Sequence, residues 1–363
     1  MTRTLLDRAD AFCRQLGLRV PILLAPMAGA CAPSLSIAVA NAGGLGACGA
    51  LMMEPTAITA WAREVRSGTD GPFQINLWIP DPEPIRNPLH EAQVSAFLVG
   101  WGPPVAPAAG DAILPNFTAQ CQALLDANPI IISSVMGLYP ARFVSQMKKR
   151  GIKWCANIST VAEARRAEAA GADLIVAQGS EAGGHRGCFI AADAERQQVG
   201  LFALLPAVVD AVRLPVIATG GIADARGIAA AFTLGASAVQ IGTGFLRCPE
   251  AKIHPAWAEA LADTAPEDTV VSRVFSGRAG RSIATKYVMA ATANDAPPPA
   301  PYPVQRGLTA AMRAAAQAAG DVHRMQAWAG QSAGLSKPEP AADRVRTLWE
   351  GARKILGDAD GSY

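Results

Sequence analysis

The feature that most constrains this chain is a repeat in its texture. A short apolar run ends in a glycine-rich or polar turn, an alanine-rich helical stretch follows, and the pair recurs along most of the 363 residues. Such runs mark β-strands buried on both faces and joined by crossover helices, the βα unit of a parallel sheet. Eight candidate strands can be marked, at residues 22–25, 45–48, 73–78, 130–134, 154–157, 174–178, 216–219 and 239–242. Helices are clearest at 54–67, 140–150, 161–171 and 224–235, and the third of these has Thr160 placed to cap its start and Gly171 to stop its end. An open doubly wound sheet usually has fewer strands and one dominant glycine loop. Eight units therefore predict an α/β protein built on a closed (β/α)8 TIM barrel.

Residues 20–53 hold no charged side chain and are numerous enough to cross a bilayer. Pro21, Pro26, Pro33, Gly43, Gly44, Gly46 and Gly49 would break such a helix several times, so the stretch reads as a buried strand, helix and strand. The first 17 residues form an amphipathic helix with both signs of charge and lack the layout of a signal peptide, which predicts a cytoplasmic protein. A formal net charge of +2 leaves no broad basic field for nucleic acid or an anionic membrane. The expected partner is a small molecule, and the expected assembly a monomer or homodimer. The seven cysteines (Cys13, Cys31, Cys48, Cys121, Cys155, Cys188, Cys248) are odd in number, widely spread and without a CxxC pair. They read as reduced, mostly buried thiols, neither a disulfide framework nor a metal cage.

The barrel is expected over residues 1–296, with a helical insertion near 250–270. Residues 297–363 supply a stiff linker, PPPAPYP at 297–303, and helices at 308–319 and 341–356 that form a small cap. The Pro/Gly-rich segment 101–115 has no room for regular structure and reads as a long connection between the third and fourth strands, a candidate lid.

In a parallel barrel the ligand lies at the carboxyl ends of the strands. Three turns there stand out: AQGSEAGGHRG at 177–187, ATGGIADARG at 218–227 and VQIGTGFL at 239–246. Glycines after the seventh and eighth strands suit a phosphate, which needs close backbone approach and free N–H donors, here from Gly220, Gly221, Gly242 and Thr243. No lysine lies in these turns and no GxxxxGK[ST] loop occurs, which argues against nucleoside triphosphate hydrolysis and favours a monophosphate such as that of FMN. His185 follows the Gly183–Gly184 pair at the catalytic mouth, where an imidazole can take a proton or pair with an anion. His90, His254 and His323 lack such a setting and read as surface or packing residues. Glu181 could orient the His185 ring or accept loop N–H bonds. Trp78 and Tyr302 could exclude water or simply pack.

With these turns, APMAGA at 25–30, QINLW at 74–78 and PVIATGGI at 215–222 fall in an order that resembles the nitronate monooxygenases, formerly called 2-nitropropane dioxygenases. The likeness spans the barrel and extends to SGRAGRSI at 276–283 and WAGQ at 328–331. The resemblance implies an FMN whose ring is touched by Pro26, Met27, Ala28 and Asn76, with Gln178, Gly183 and Gly184 nearby. Its phosphate would rest on Gly220, Gly221, Gln240, Ile241, Gly242 and Thr243, and His185 matches the family's catalytic histidine. It further implies electron transfer from an alkyl nitronate, propionate 3-nitronate among the candidates, through the flavin to dioxygen, yielding a carbonyl compound and nitrite. A cationic His185 would hold a nitronate, whereas a neutral one would remove the α proton of a nitroalkane. FMN-dependent enoyl-acyl-carrier-protein and NAD(P)H:quinone reductases also carry an EAGGH turn and form the alternative; a non-redox phosphate-binding barrel is a third reading.

Overall fold

The computed structural model describes residues 2–357. The strands are β1 (Ile22–Leu24), β2 (Gly46–Gly49), β3 (Phe73–Trp78), β4 (Ile131–Val135), β5 (Lys153–Ile158), β6 (Leu174–Gln178), β7 (Gly184–His185), β8 (Val216–Thr219), β9 (Ala238–Ile241), β10 (Thr269–Ser272) and β11 (Gly280–Ile283). Eight of them, β1 to β6 with β8 and β9, form one parallel sheet in the order β1-β9-β8-β6-β5-β4-β3-β2. The Leu24 amide donates to Leu45 at 2.9 Å and the Leu45 amide to Ile22 at 3.1 Å, which brings β1 against the start of β2 and closes the TIM barrel. All eight expected strands are present, three with the expected ends and five with ends shifted by one residue.

The barrel interior changes character along its axis. At the amino ends, Leu23, Leu45, Ile131, Cys155, Leu174 and Ile217 meet Phe12, Leu16 and Leu18, so the first helix, Thr2–Leu16, plugs the bottom with apolar side chains. Toward the carboxyl ends the interior turns polar, and several of its polar groups pair with one another within the wall. The Gln74 amide donates to the Leu24 carbonyl and to Gln240 Oε1, both at 3.1 Å. Asn76 donates to Ser133 Oγ at 3.1 Å and the Thr219 hydroxyl to the Gln240 carbonyl at 2.8 Å. Burial of unpaired amides would be costly, so this network fixes the upper half of the barrel in one arrangement.

Local signals set the helix ends. Thr160 accepts from the Glu163 amide at 3.2 Å, and Asp224 from the Gly227 amide at 3.1 Å, just past the Gly220–Gly221 turn. The helix Leu201–Ala211 goes against the sequence pattern because Pro206 lies inside it. Burial of Leu201, Leu204, Leu205 and Val208 on one face offsets the backbone bond that proline cannot donate.

The C-terminal part is divided between two places. Helices Val304–Leu308 and Ala310–Ala319 and the chain to Ser332 cover the carboxyl face. The last helix, Ala341–Ile355, instead joins the outer ring against Ala225–Thr233 and Pro33–Asn41, with the rings of Trp349 and Phe232 5.8 Å apart. Its buried Arg344 donates to the Ala223 and Leu335 carbonyls and pairs with Glu339 at 3.1 Å, which fastens the C-terminal helix to the turn after β8. Segment 101–115 is irregular, as its composition predicts. It packs under the cap, where Arg324 donates to the Trp101 carbonyl at 2.9 Å, and none of it lines the central cavity, so it is no lid in this conformation. Among the described residues no helix is long and apolar enough to cross a membrane, and all seven cysteines are buried and unpaired.

Candidate active site

A cavity of about 450 Å³ opens at the carboxyl ends of the barrel strands. Of the residues that the sequence assigns to cofactor or catalysis, the structure brings together there all but Ile241: Pro26, Met27, Ala28, Asn76, Gln178, Gly183, Gly184, His185, Gly220, Gly221, Gln240, Gly242 and Thr243 all line it. The Ile241 side chain is buried in the barrel wall, and its carbonyl accepts from the Ala25 amide at 2.9 Å.

One side of the cavity is a backbone cradle. Gly220 and Gly221 have φ of +110° and +69°, a region that side chains rarely tolerate. A Cβ on Gly183 would stand 2.5 Å from the Gly330 nitrogen and 2.9 Å from Thr243 Oγ1, so the two loops meet only because that position is bare. The Thr243 hydroxyl accepts from the Gly330 amide at 3.0 Å and ties the cap to the barrel at this point. The amides of Gly220, Gly221 and Gly242 make no hydrogen bond among the described residues. Unsatisfied N–H groups beside space that only glycine leaves free are what a phosphate or similar anion requires. The site also contains a buried donor that the sequence reading missed: Asn157 Nδ2, at the end of β5, has no partner and lies on the cavity wall.

His185 lines the same cavity. Its two-residue strand β7 pairs antiparallel with β11, His185 opposite Gly280, and β11 pairs with β10. Gln178 holds the turn from the barrel side, since its amide nitrogen donates to the His185 carbonyl at 3.1 Å and its oxygen accepts from the Gly187 amide at 2.7 Å. His185 Nε2 lies 2.8 Å from Ser276 Oγ, and the ring stands edge-on to Trp78 and Trp328, with centroids 4.6 and 4.7 Å away. Burial, with the charges of Arg278 and Arg306, pushes the imidazole down to about 3. His185 is therefore neutral across the physiological range. Titrating the ring by NMR should show no protonation near pH 6.5; an inflection there would contradict this placement.

Glu181 does not orient the imidazole. Its carboxylate accepts from the Leu201 amide at 2.8 and 3.0 Å and caps the next helix. Trp78 lines the cavity, and Tyr302 packs behind it at 5.5 Å. His90 Nε2 meets the Pro298 carbonyl at 2.7 Å, His254 caps Pro255–Ala260, and His323 sits at the surface turn after Gly320, all away from the cavity.

Arg278, only 2% exposed, pairs with Asp81 at 2.8 Å and pins the segment after β3 to the β10–β11 turn beside Ser276. Asp81→Ala leaves this guanidinium buried without its counter-charge. It should cost about 3 kcal/mol in urea unfolding, and a change below about 0.5 kcal/mol would mean that water already solvates the pair.

The cap adds Arg306, Arg313, Gln326, Trp328 and Gly330 to the cavity wall. Each nitrogen of Arg313 already donates once within the cap, to Thr309 Oγ1, Gln326 Oε1 and the Arg306 carbonyl at 3.2, 3.2 and 2.9 Å.

The sequence profile of the family described as nitronate monooxygenase matches residues 12–351. A nitronate monooxygenase of Paraburkholderia phytofirmans is 40% identical over 343 residues, covering 92% of each chain. One from Pseudomonas aeruginosa is 38% identical, over 95% of this chain and 99% of its own. Among solved structures, a nitroalkane oxidase from Streptomyces ansochromogenes superposes with a TM-score of 0.86 at 31% identity, over 96% of this chain and 99% of its own. FabK from Thermotoga maritima does so with a TM-score of 0.74 at 28% identity, over 96% and 97%. On the strength of a match along nearly its whole length, this chain belongs to the nitronate monooxygenase family.

Proposed function

We propose that the protein is an FMN-dependent nitronate monooxygenase that oxidises small alkyl nitronates with dioxygen to a carbonyl compound and nitrite. The observation that carries this reading is one cavity lined both by a backbone anion cradle and by a neutral imidazole. The residues fit the cofactor: the free amides of Gly220, Gly221 and Gly242, with Thr243 and the Gly183 clearance, would hold its phosphate beside the backbone of Gln240 and Ile241. Pro26, Met27, Ala28, Asn76, Gln178 and Gly184 would border its ring, and the unpartnered Asn157 amide has a donor to offer there. When bound, FMN supplies a two-electron acceptor that dioxygen reoxidises.

His185 is the catalytic residue of this reading. A neutral imidazole can take the α proton of a nitroalkane, breaking the C–H bond so that its electron pair delocalises onto the nitro oxygens. With a nitronate that proton has already gone, and His185 offers only a hydrogen bond. Ser276 positions the ring, Gln178 holds the main chain that carries it, and Trp78 and Trp328 exclude water around it. Buried, unpaired cysteines suit a reducing compartment, which supports a cytoplasmic enzyme.

Supplied with FMN, ethyl nitronate and air, the protein should consume oxygen and release acetaldehyde and nitrite. Absence of nitrite from both ethyl nitronate and nitroethane would refute the assignment.

A further inference from the structure

The charges around the cavity do not balance. Glu181 is the one carboxylate on its wall among the described residues, and it is spent on the Leu201 amide. Arg313 is spent on the cap, and Arg278, behind the wall, is paired with Asp81. Arg306 lines the same cavity, close enough for its charge to act on His185, Tyr302 and Arg313, yet its side chain makes no hydrogen bond or ion pair among the described residues. A guanidinium presents five donors in a planar fork that matches an anion with two oxygens on one atom. Placing two guanidiniums together without a carboxylate is unfavourable unless an anion joins them.

We propose that Arg306 is the anion anchor of the site: its guanidinium takes the two oxygens of the substrate's nitronate group, while His185 remains an uncharged neighbour. This rests on the nitronate reading above. It assigns to the cap, and not to the barrel loop, the positive charge that selects an anionic substrate over a neutral one. A charge-assisted pair of this kind is stronger than a hydrogen bond between neutral groups, and a fork-shaped donor adds orientation to attraction.

Nitrate serves as an inert probe, since it is planar and carries the same O–N–O fork. Titrated at constant ionic strength into the FMN-loaded protein, it should perturb the flavin absorbance and compete with ethyl nitronate. Arg306→Gln should weaken nitrate on the order of 10- to 100-fold and raise the KM for ethyl nitronate similarly, with kcat little changed. Arg306→Lys, which keeps the charge but not the fork, should fall between the two. Nitrate affinity within about twofold of the parent in Arg306→Gln, or Arg306→Lys as weak as Arg306→Gln, would overturn the proposal. So would a parent protein that binds no nitrate. Should Arg306→Gln lose its flavin, Arg306→Lys carries the comparison alone: a several-fold loss supports the anchor and equality with the parent refutes it. A parent enzyme inert to ethyl nitronate defeats the nitronate reading, whereas the nitrate titration reports on Arg306 separately.

Discussion

His185→Asn is expected to retain a full complement of FMN while turnover of nitroethane falls on the order of a hundredfold, the low end for a positioned general base, because an imidazole pushed down to about 3 is a weak base. Asparagine can still meet Ser276, and the main chain opposite Gly280 is unaffected, so the turn should keep its shape. What is lost is an acceptor for the proton. Ethyl nitronate, already deprotonated, should suffer far less, by about tenfold or under, because only a hydrogen bond is missing there. Comparing kcat/KM for the two substrates separates a base from a mere wall of the cavity. Equal losses on both would mean that His185 acts on binding, and unchanged kinetics on nitroethane would remove it from the chemistry.

Gly242→Val should yield a folded, colourless protein. Gly242 has φ of −106°, so a side chain is tolerated by its backbone, but its Cβ would already stand 3.3 Å from Ala25 Cβ and Met27 Sδ, on the cavity wall. Two further methyl groups would enter the space assigned to the phosphate, and FMN affinity should drop by more than about a hundredfold, the scale of an anion losing close backbone donors. Gly221→Val tests the same cradle with added strain, since φ of +69° is hostile to a β-branched residue. A melting curve distinguishes the two: Gly242→Val should melt like the flavin-free parent, whereas Gly221→Val should melt lower. Stoichiometric FMN retained by Gly242→Val would move the phosphate elsewhere.

The barrel was legible because its strands are short apolar runs buried on both faces, each followed by a turn and a helical stretch. The cradle was legible for a related reason: Gly220, Gly221 and Gly242 fall directly after strands, where side chains are excluded by close approach. The His185 loop was located, but not its support. A strand of two residues, β7, has no periodicity to detect, and β10 and β11 alternate too briefly to stand out. Arg306, Gln326 and Trp328 lie well over a hundred residues beyond His185, and only the folding of the cap over the barrel mouth unites them. Asn157 did leave a trace, a lone amide closing an apolar strand in the manner of Asn76, yet the same residue ends many loops. Helix Leu201–Ala211 was hidden by Pro206, and Phe117–Ala127 by apolar residues around most of its circumference.

Anaerobic mixing of the FMN-loaded protein with ethyl nitronate, and in separate portions with NADH and NADPH, tests the central claim most directly. A cavity that holds flavin phosphate on strand-end amides and offers its other face to a nitronate predicts prompt bleaching of the flavin by ethyl nitronate and none by either nicotinamide within the same time. Reduction by a nicotinamide with no response to nitronate would contradict it.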